Sequence, residues 1–445
     1  VDRKVIIIGG GLAGLSAGIT CIKNGLRPIL IEKNRYVGGR VRSFYSPDIE
    51  KIIDNGQHIL SNAYKETFNF LEIIGSLDKV FFQTKFSALM VKKPSEKILF
   101  ETLPLPSPLH FFLPFLYYRK FIQIQLKDFF KFVFKNKQLS QKNFKKMTVD
   151  EWLRFMGQNQ SFCRNFWKPL TVSILNTSIE NASAYLLYRA LQNSFFHSRK
   201  TSGMALPKDW LGNLFCTPAE HFILKNGGKI FYLHTVLKLN ESHGLIENVV
   251  TQKQIFNAQH FISTIPPFAL ARILKKSDIK IFQKLIPKLQ QFRYNPIITI
   301  NLILEHPIPL FFPLLLLDSP LQWIFPHPDN SNNKYSGYGI VLSDAKELVN
   351  LPPNEIMDML KQEFYRVLGL KLDNRMMVAF KILKEKRATI SQTPETLSLK
   401  LKIQSPLSNL FWAGDWIDTG FPATIENAIL TGRLATESIL KNKNL

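Results

Sequence analysis

The spacing of hydrophobic positions changes period within the first thirty residues. Val5 to Ile8 is an unbroken β-branched run, as expected of a parallel strand buried on both faces. From there Leu12, Leu15, Ile19 and Ile22 recur at helical spacing, and Gly25 is placed to end the helix. Pro28 to Ile31 reads as a second strand that closes on Glu32. The same reading predicts strands at residues 41–45, 52–58 (ending in a polar turn), 229–239, 260–264, 297–304, 336–343 and 410–414. It predicts helices at 67–74 and 354–368, and mostly helix over 162–196. Another helix is opened by the capping box Thr148-x-x-Glu151 and ended by Gly157. A last one, beginning after Pro422, carries Ile425, Ile429, Leu434 and Ile439. From Leu103 the chain is proline-punctuated and rich in Phe and Lys. There Ile122, Leu126, Phe129, Phe130 and Val133 share one helical face, while residues 122–127 also alternate as a strand would. An amphipathic helix here suits a membrane interface or the wall of a hydrophobic domain with solvated lysines.

The turn between the first strand and the first helix is where chemistry enters. It reads Gly9-x-Gly11-x-x-Gly14. Gly9 permits the tight turn, Gly11 lets a pyrophosphate approach the backbone, and Gly14 lets the helix close on the strand. The helix N-terminus offers unpaired N–H groups to phosphate, and Glu32 is placed for ribose hydroxyls. Gly38-Gly39-Arg40 adds a second glycine turn and a guanidinium for the same anion. Near the end of the chain a short apolar strand meets Gly414-Asp415, followed by a new helix start at Ala423, Thr424 and Ile425. Two helix N-termini preceded by cofactor-like turns imply one site built from both ends of the chain.

Composition refines this picture in three ways. At 445 residues, two or three domains are expected, with an ordinary globular apolar fraction. Lys plus Arg number 57 against 34 Asp plus Glu, a net charge of +23. Without a nucleic-acid motif, that field points to an anionic membrane surface or to a solvated lysine-rich exterior. Cys21, Cys163 and Cys216 are far apart and form no CxxC, so neither a disulfide framework nor a metal site is expected. The first strand starts almost at residue one and no signal peptide is expected. The longest apolar stretch, 297–317, is broken by Glu305, His306 and three prolines, which argues against a spanning helix. These features together predict a cytoplasmic, peripherally membrane-associated protein.

The first motif with Glu32, then Gly38-Gly39-Arg40, then AGD…PATIENA…TGR, resembles the FAD-dependent amine oxidase and carotenoid desaturase superfamily. Segments beginning at Asp54 (DNGQHILSNAY), Phe166 (FWKPLTVSILNTSIENAS), Ser194 (SFFHSRK), Glu385 (EKRATISQTP) and Ala413 (AGDWIDTGFPATIENA) are similar to the hydroxysqualene dehydroxylase family within it. The resemblance implies an α/β fold with an α+β substrate region. A Rossmann-like FAD-binding domain of the glutathione-reductase and amine-oxidase type would be built from residues 1–85, 205–275 and 385–445. Inserted into it would be a largely helical substrate or membrane-facing region, 86–204, and a substrate sheet with helices, 276–384. FAD would be held by Gly9, Gly11, Gly14, Glu32, Gly39, Arg40, Val236, Gly414, Asp415, Ala423, Thr424 and Ile425. Thr424 stands where related amine oxidases carry an aromatic residue, which counts against amine oxidation.

The implied reaction is reductive removal of the allylic hydroxyl of hydroxysqualene, a C30 isoprenoid, to give squalene and water, with functional coupling to squalene-type synthases. His58 and Glu385 are the candidate proton donors, each also readable as a satisfied structural group. The alternatives are a phytoene-type desaturase, a flavin amine oxidase and a non-catalytic lipid-binding flavoprotein.

Overall fold

A computed structural model of the chain describes residues 3–107, 109–125, 141–311, 313–330, 335–373 and 375–442. In chain order, the elements that place the site begin with β1 (Lys4–Ile8), α1 (Leu12–Lys23), β2 (Arg27–Ile31) and α2 (Lys65–Ile73). Next come β3 (Ser87–Lys93), β4 (Glu96–Glu101), α3 (Leu109–Tyr117), α4 (Val149–Phe155), α5 (Lys168–Leu175) and α6 (Ala184–Asn193). The second half contributes β5 (Lys229–Phe231), β6 (Val236–Ser242), β7 (His260–Ser263), β8 (Tyr294–Leu304), β9 (Leu314–Leu316), β10 (Trp323–Pro326) and β11 (Ser336–Ser343). It closes with β12 (Met377–Ile390), β13 (Leu410–Trp412) and α7 (Ile425–Asn442).

The fold is mixed α/β, as the periodicity predicts. Five parallel strands form one sheet in the order β5-β2-β1-β7-β13. Its central strand β1 is buried from Val5 to Ile8 with helices on its flank, which is why that run tolerates no polar residue. α1 and α7 lie side by side on this sheet. Ser16 Oγ donates to the Ile429 carbonyl (2.7 Å) and Thr436 Oγ1 to that of Ala17 (3.2 Å). A methyl group on Gly432 would sit 2.2 Å from the Ala13 carbonyl oxygen, so the two helices approach to backbone contact. A second sheet of seven strands, in the order β12-β8-β11-β10-β9-β3-β4, is antiparallel except where β9 meets β3. α3 to α6 pack with aromatic side chains on one side of it: Phe111, Phe166 and Phe195 share a core with Trp323 and Val341.

Several elements depart from the pattern reading. The strand expected over 229–239 is two strands, parallel β5 and antiparallel β6, separated by a turn in which Leu233 has φ +55°. Backbone N–H groups of Leu233 and His234 bind the carbonyls of Asn34 and Glu32 there, so pairing with β2 is exchanged for a bend. The strand expected at 41–45 runs Ser43–Ser46, because Gly38 to Val41 is spent in a turn closed by Val41 N–H to Gly38 O. The helix expected to reach 368 ends its α-helical part at Glu363 and finishes as a wider turn, Phe364–Leu368. Within 86–204, β3 and β4 are strands that join the seven-stranded sheet. The capping box forms as expected: Thr148 and Glu151 each accept the other's backbone N–H. Of the Phe- and Lys-rich stretch, Ile122 ends a short helical turn, whereas Leu126, Phe129, Phe130 and Val133 lie outside the described residues. No helix among the described residues is long and apolar enough to cross a membrane, and no group of His, Cys, Asp and Glu among them suits a metal ion.

Candidate active site

A single cavity of about 1090 Å³ runs from the β1–α1 turn into the aromatic helices. It is larger than the 300–1,000 Å³ typical of one small ligand, so there is space for a bulky cofactor and a substrate together.

Its first end is built by glycine. Gly9 has φ +107°, and a methyl on Gly14 would lie 2.0 Å from the Gly9 carbonyl oxygen, so α1 closes directly onto the turn. Gly11 differs: nothing lies within 4 Å of where its Cβ would be, and it faces the cavity. No side chain caps α1, and its first intrahelical acceptor is Gly11 O, bound by Leu15 N–H. The preceding N–H groups therefore suit an anion. The second glycine turn clasps the first: Gly38 N–H donates to Gly10 O (2.7 Å) and Gly39 sits against Gly11. Glu32 is buried and serves this turn, Oε2 accepting from Gly10 N–H and Oε1 from the backbone and side chain of Asn34, each at 2.8 Å. Open space at Gly11 between uncapped N–H groups and two glycine turns fits a dinucleotide pyrophosphate.

The middle of the cavity joins distant parts of the chain. Arg40 pairs with Asp415 (2.9 Å) and donates to the Ala388 carbonyl (2.8 Å). The carboxylate holds the guanidinium above its ordinary pKa. Gly414, at φ +138°, donates its N–H to Thr431 Oγ1 (2.9 Å). Asn427 Nδ2 ties the carbonyls of Asp415 (2.8 Å) and Ile417 (3.1 Å). Ala423 N–H is taken by the buried Gln392 (2.7 Å), and Ala423, Thr424 and Ile425 open on the cavity at the start of α7. Of the residues singled out from sequence, Gly9, Gly11, Glu32, Gly39, Arg40, His58, Val236, Glu385, Gly414, Asp415, Ala423, Thr424 and Ile425 all line this cavity. Gly14 does not; it is buried beneath the turn it shapes. Burial and the nearby Arg40 push His58 down to about 4, so it is neutral near pH 7 and holds no acidic proton in reserve. Glu385 accepts the Arg387 N–H (3.3 Å) on β12.

The far end is a chamber. Phe86, Phe111, Phe166, Leu170, Phe195 and Trp323 line it, with Phe111 and Phe195 rings 4.3 Å apart and Phe86 and Phe195 edge to face at 5.7 Å. Asn165, Asn176 and Asn193 also line the cavity, with their side-chain amides held by the carbonyls of Ile122, Asn295 and Arg189. The sequence reading missed these amides and Tyr64, which lines the cavity where the chamber meets α7. The available signal was position: Tyr64 lies in the segment after His58, and Asn165 precedes the Phe166-Trp167 cluster.

Comparison with known proteins gives the same picture from outside. Residues 12–440 match the family model described as flavin containing amine oxidoreductase. A hydroxysqualene dehydroxylase from Zymomonas mobilis is 24% identical over 440 residues, covering 98% of this chain and 99% of its own. A chloroplastic 15-cis-phytoene desaturase from Capsicum annuum is 22% identical over 464 residues, covering 99% of this chain and 78% of its own. Among solved structures, cyclohexylamine oxidase from Brevibacterium oxydans superposes with a TM-score of 0.69 at 13% identity, over 100% of both chains, a likeness of fold.

Proposed function

The chain belongs to the flavin-containing amine oxidoreductase family and is an FAD-dependent oxidoreductase of the carotenoid and squalene type, and from that premise we propose that it removes the allylic hydroxyl of hydroxysqualene to give squalene and water. The observation that carries this reading is the chamber. Its lining is largely aromatic and aliphatic, and the carboxylates of the cavity come from the ends of β2 and β13 (Glu32, Asp415), from β12 (Glu385) and from the start of α7 (Glu426) rather than from the aromatic helices. The aromatic helices bring no carboxylate to pair with an ammonium substrate, whereas a long uncharged isoprenoid needs none.

Bound and reduced, FAD supplies the hydride that takes the place of the hydroxyl. The chain supplies the rest. The glycine turns and α1 hold the pyrophosphate, the Arg40–Asp415 pair fixes the middle of the cofactor site, and the N-terminus of α7 turns a positive dipole toward it. The ring faces of Phe111, Phe166 and Phe195 exclude water and favour positive charge that develops at an allylic carbon.

The test is anaerobic. FAD-loaded protein reduced with dithionite is mixed with hydroxysqualene and the extract analysed for squalene. Absence of squalene from reduced, loaded protein overturns the reading. The competing reading, phytoene-type desaturation, draws on the full-length likeness to the Capsicum enzyme and uses oxidised flavin. Conversion of phytoene, but not hydroxysqualene, would establish it.

We also propose that the substrate arrives from an anionic membrane through α3. Phe111 and Phe115 point inward from this helix, while Leu109, Leu113, Leu116 and Tyr117 are exposed, Tyr117 by 82%. Arg119 and Lys120 follow directly, so apolar and cationic groups face outward together on the wall of the chamber.

A further inference from the structure

Reductive removal of a hydroxyl needs a proton as well as a hydride, because the C–O bond of an alcohol breaks readily only if oxygen departs as water. The residues singled out from sequence do not provide that proton. His58 is neutral, and Glu385 stands beside Arg40 with its Oε1 on the Arg387 N–H. We infer that Tyr64 is the acid: its phenol gives a proton to the hydroxyl oxygen of the substrate as the allylic C–O bond breaks. This inference rests on the dehydroxylation reading.

The placement of Tyr64 is what singles it out. Two other phenols face the cavity. Tyr36 lies under the Arg42 guanidinium, 4.5 Å from its ring, and Tyr294 stands between Phe268 and Arg387 at the Arg40–Asp415 end. Tyr64 is instead at the seam between chamber and α7. The segment that precedes it is joined to residues 203–205 (Asn62 N–H to Gly203 O, 3.0 Å; Leu60 paired with Ala205), which continue the chain from chamber residue Phe195. The Thr424 hydroxyl stands beside the phenol on the other side, where it favours the ionised form.

The residue is also held in place. Tyr64 is the N-cap residue of α2 and its side chain does not cap that helix. The cap comes from Glu426 of α7, whose carboxylate accepts the N–H groups of Glu66 (3.0 Å) and Thr67 (2.8 Å) and the Thr67 hydroxyl (2.7 Å). Tyr64 is thereby locked to the turn that carries Thr424. Burial and the Glu426 charge raise its pKa to about 12, so the phenol keeps its proton at neutral pH until an acceptor is presented.

The step balances. The Tyr64 O–H bond breaks and an O–H bond forms on the substrate oxygen, the C–O bond breaks, and water leaves. The reduced cofactor, regenerated by a two-electron donor, provides the hydride for carbon. The phenolate regains a proton from solvent after product leaves.

The experiment compares Tyr64→Phe with wild type on two substrates, hydroxysqualene and the allylic chloride of the same skeleton, using dithionite-reduced holoenzyme and measuring squalene. Chloride leaves without a proton. The expected result is a loss of about 10²–10⁴-fold on the alcohol, with the chloride converted within about threefold of wild type, which also reports an intact site. In oxidised holoenzyme, which does not turn over, hydroxysqualene affinity should fall about 2–10-fold while squalene affinity holds. Equal losses on both substrates, or no loss on either, overturn the role of Tyr64. If wild type makes squalene from neither substrate, the dehydroxylation reading itself fails and this inference fails with it.

Discussion

Two glycines of one motif, three residues apart, should respond to alanine in opposite ways. At Gly14 the new Cβ would lie 2.0 Å from the Gly9 carbonyl oxygen, 3.1 Å from the Gly9 carbonyl carbon and 3.1 Å from Thr264 Oγ1. Ordinary contact starts near 3.5 Å, so α1 and the turn must separate by about 1.5 Å. Overpacking of that kind costs about 1–3 kcal/mol, and the better helix propensity of alanine returns up to about 1 kcal/mol. Gly14→Ala therefore destabilises the cofactor-free protein by about 1–2 kcal/mol. At Gly11 the backbone is at φ −72°, ψ −179°, open to any residue, and no atom lies within 4 Å of the new Cβ. Gly11→Ala should leave the cofactor-free protein unchanged or more stable by about 0.4–1 kcal/mol, through the unfolded chain. Its methyl instead occupies the approach of the pyrophosphate. Loss of one or two hydrogen bonds to a charged group, at about 1.5–3 kcal/mol each, weakens FAD by about 10- to 10⁴-fold. Thermal unfolding of cofactor-free protein and calorimetric titration with FAD separate the two effects. Wild-type FAD affinity in Gly11→Ala, or an unshifted melting curve in Gly14→Ala, would refute the assignment of roles.

Three other outcomes are expected. Asp54 is buried, and although Ser43 and the Leu211 N–H bind its carboxylate, burial raises its pKa to about 7. The folded state then holds the proton more tightly than the unfolded state, so stability is full below about pH 4 and is lost as pH rises to 7, by up to about 4 kcal/mol; Asp54→Asn should flatten this part of the chemical-denaturation profile. Glu426→Ala removes the cap of α2, which should destabilise the protein by about 1–2 kcal/mol and speed amide exchange at Glu66 and Thr67 above the global rate. Binding to phosphatidylserine vesicles should weaken in high salt and in Tyr117→Asp, and sedimentation with vesicles reads both; binding that ignores both perturbations would remove α3 as the docking face.

Local chemistry in the chain was legible and long-range pairing was not. The change from an unbroken β-branched run to period 3.6 around Gly9, Gly11 and Gly14 identifies strand, turn and helix because each signal lies within a few residues of the next. Glu32 was legible as a partner of the site, but its bonds to Gly10 N–H and Asn34 depend on how the second turn returns. Arg40 and Asp415 each suggest a cofactor, yet nothing in either segment announces that they pair. Glu426 reads as a favourable acid in the first turn of its own helix, and only the fold shows that it caps α2 instead. The break at Leu233 was hidden because a residue other than glycine takes the left-handed conformation, held by the carbonyls of Asn34 and Glu32. The abundance of Phe was visible; which rings meet was decided by helix packing.

The contact between α1 and α7 also bears on how the protein is made. α1 leaves the ribosome well before its partners on α7, since Thr436 bonds the Ala17 carbonyl across 419 residues of chain and Gly432 packs on Ala13. At about 5–20 residues per second, the face of α1 that carries Ala13 and Ala17 stays uncovered for about 20–80 s of synthesis. The cofactor site cannot close over that time, since Asp415 and the turn of Thr424 do not yet exist. FAD capture therefore waits for the segment from Asp415 to Ile425 to be made. A chain stopped before residue 410 should be recognised by chaperones and proteases as unfinished, even with its glycine turn fully synthesised.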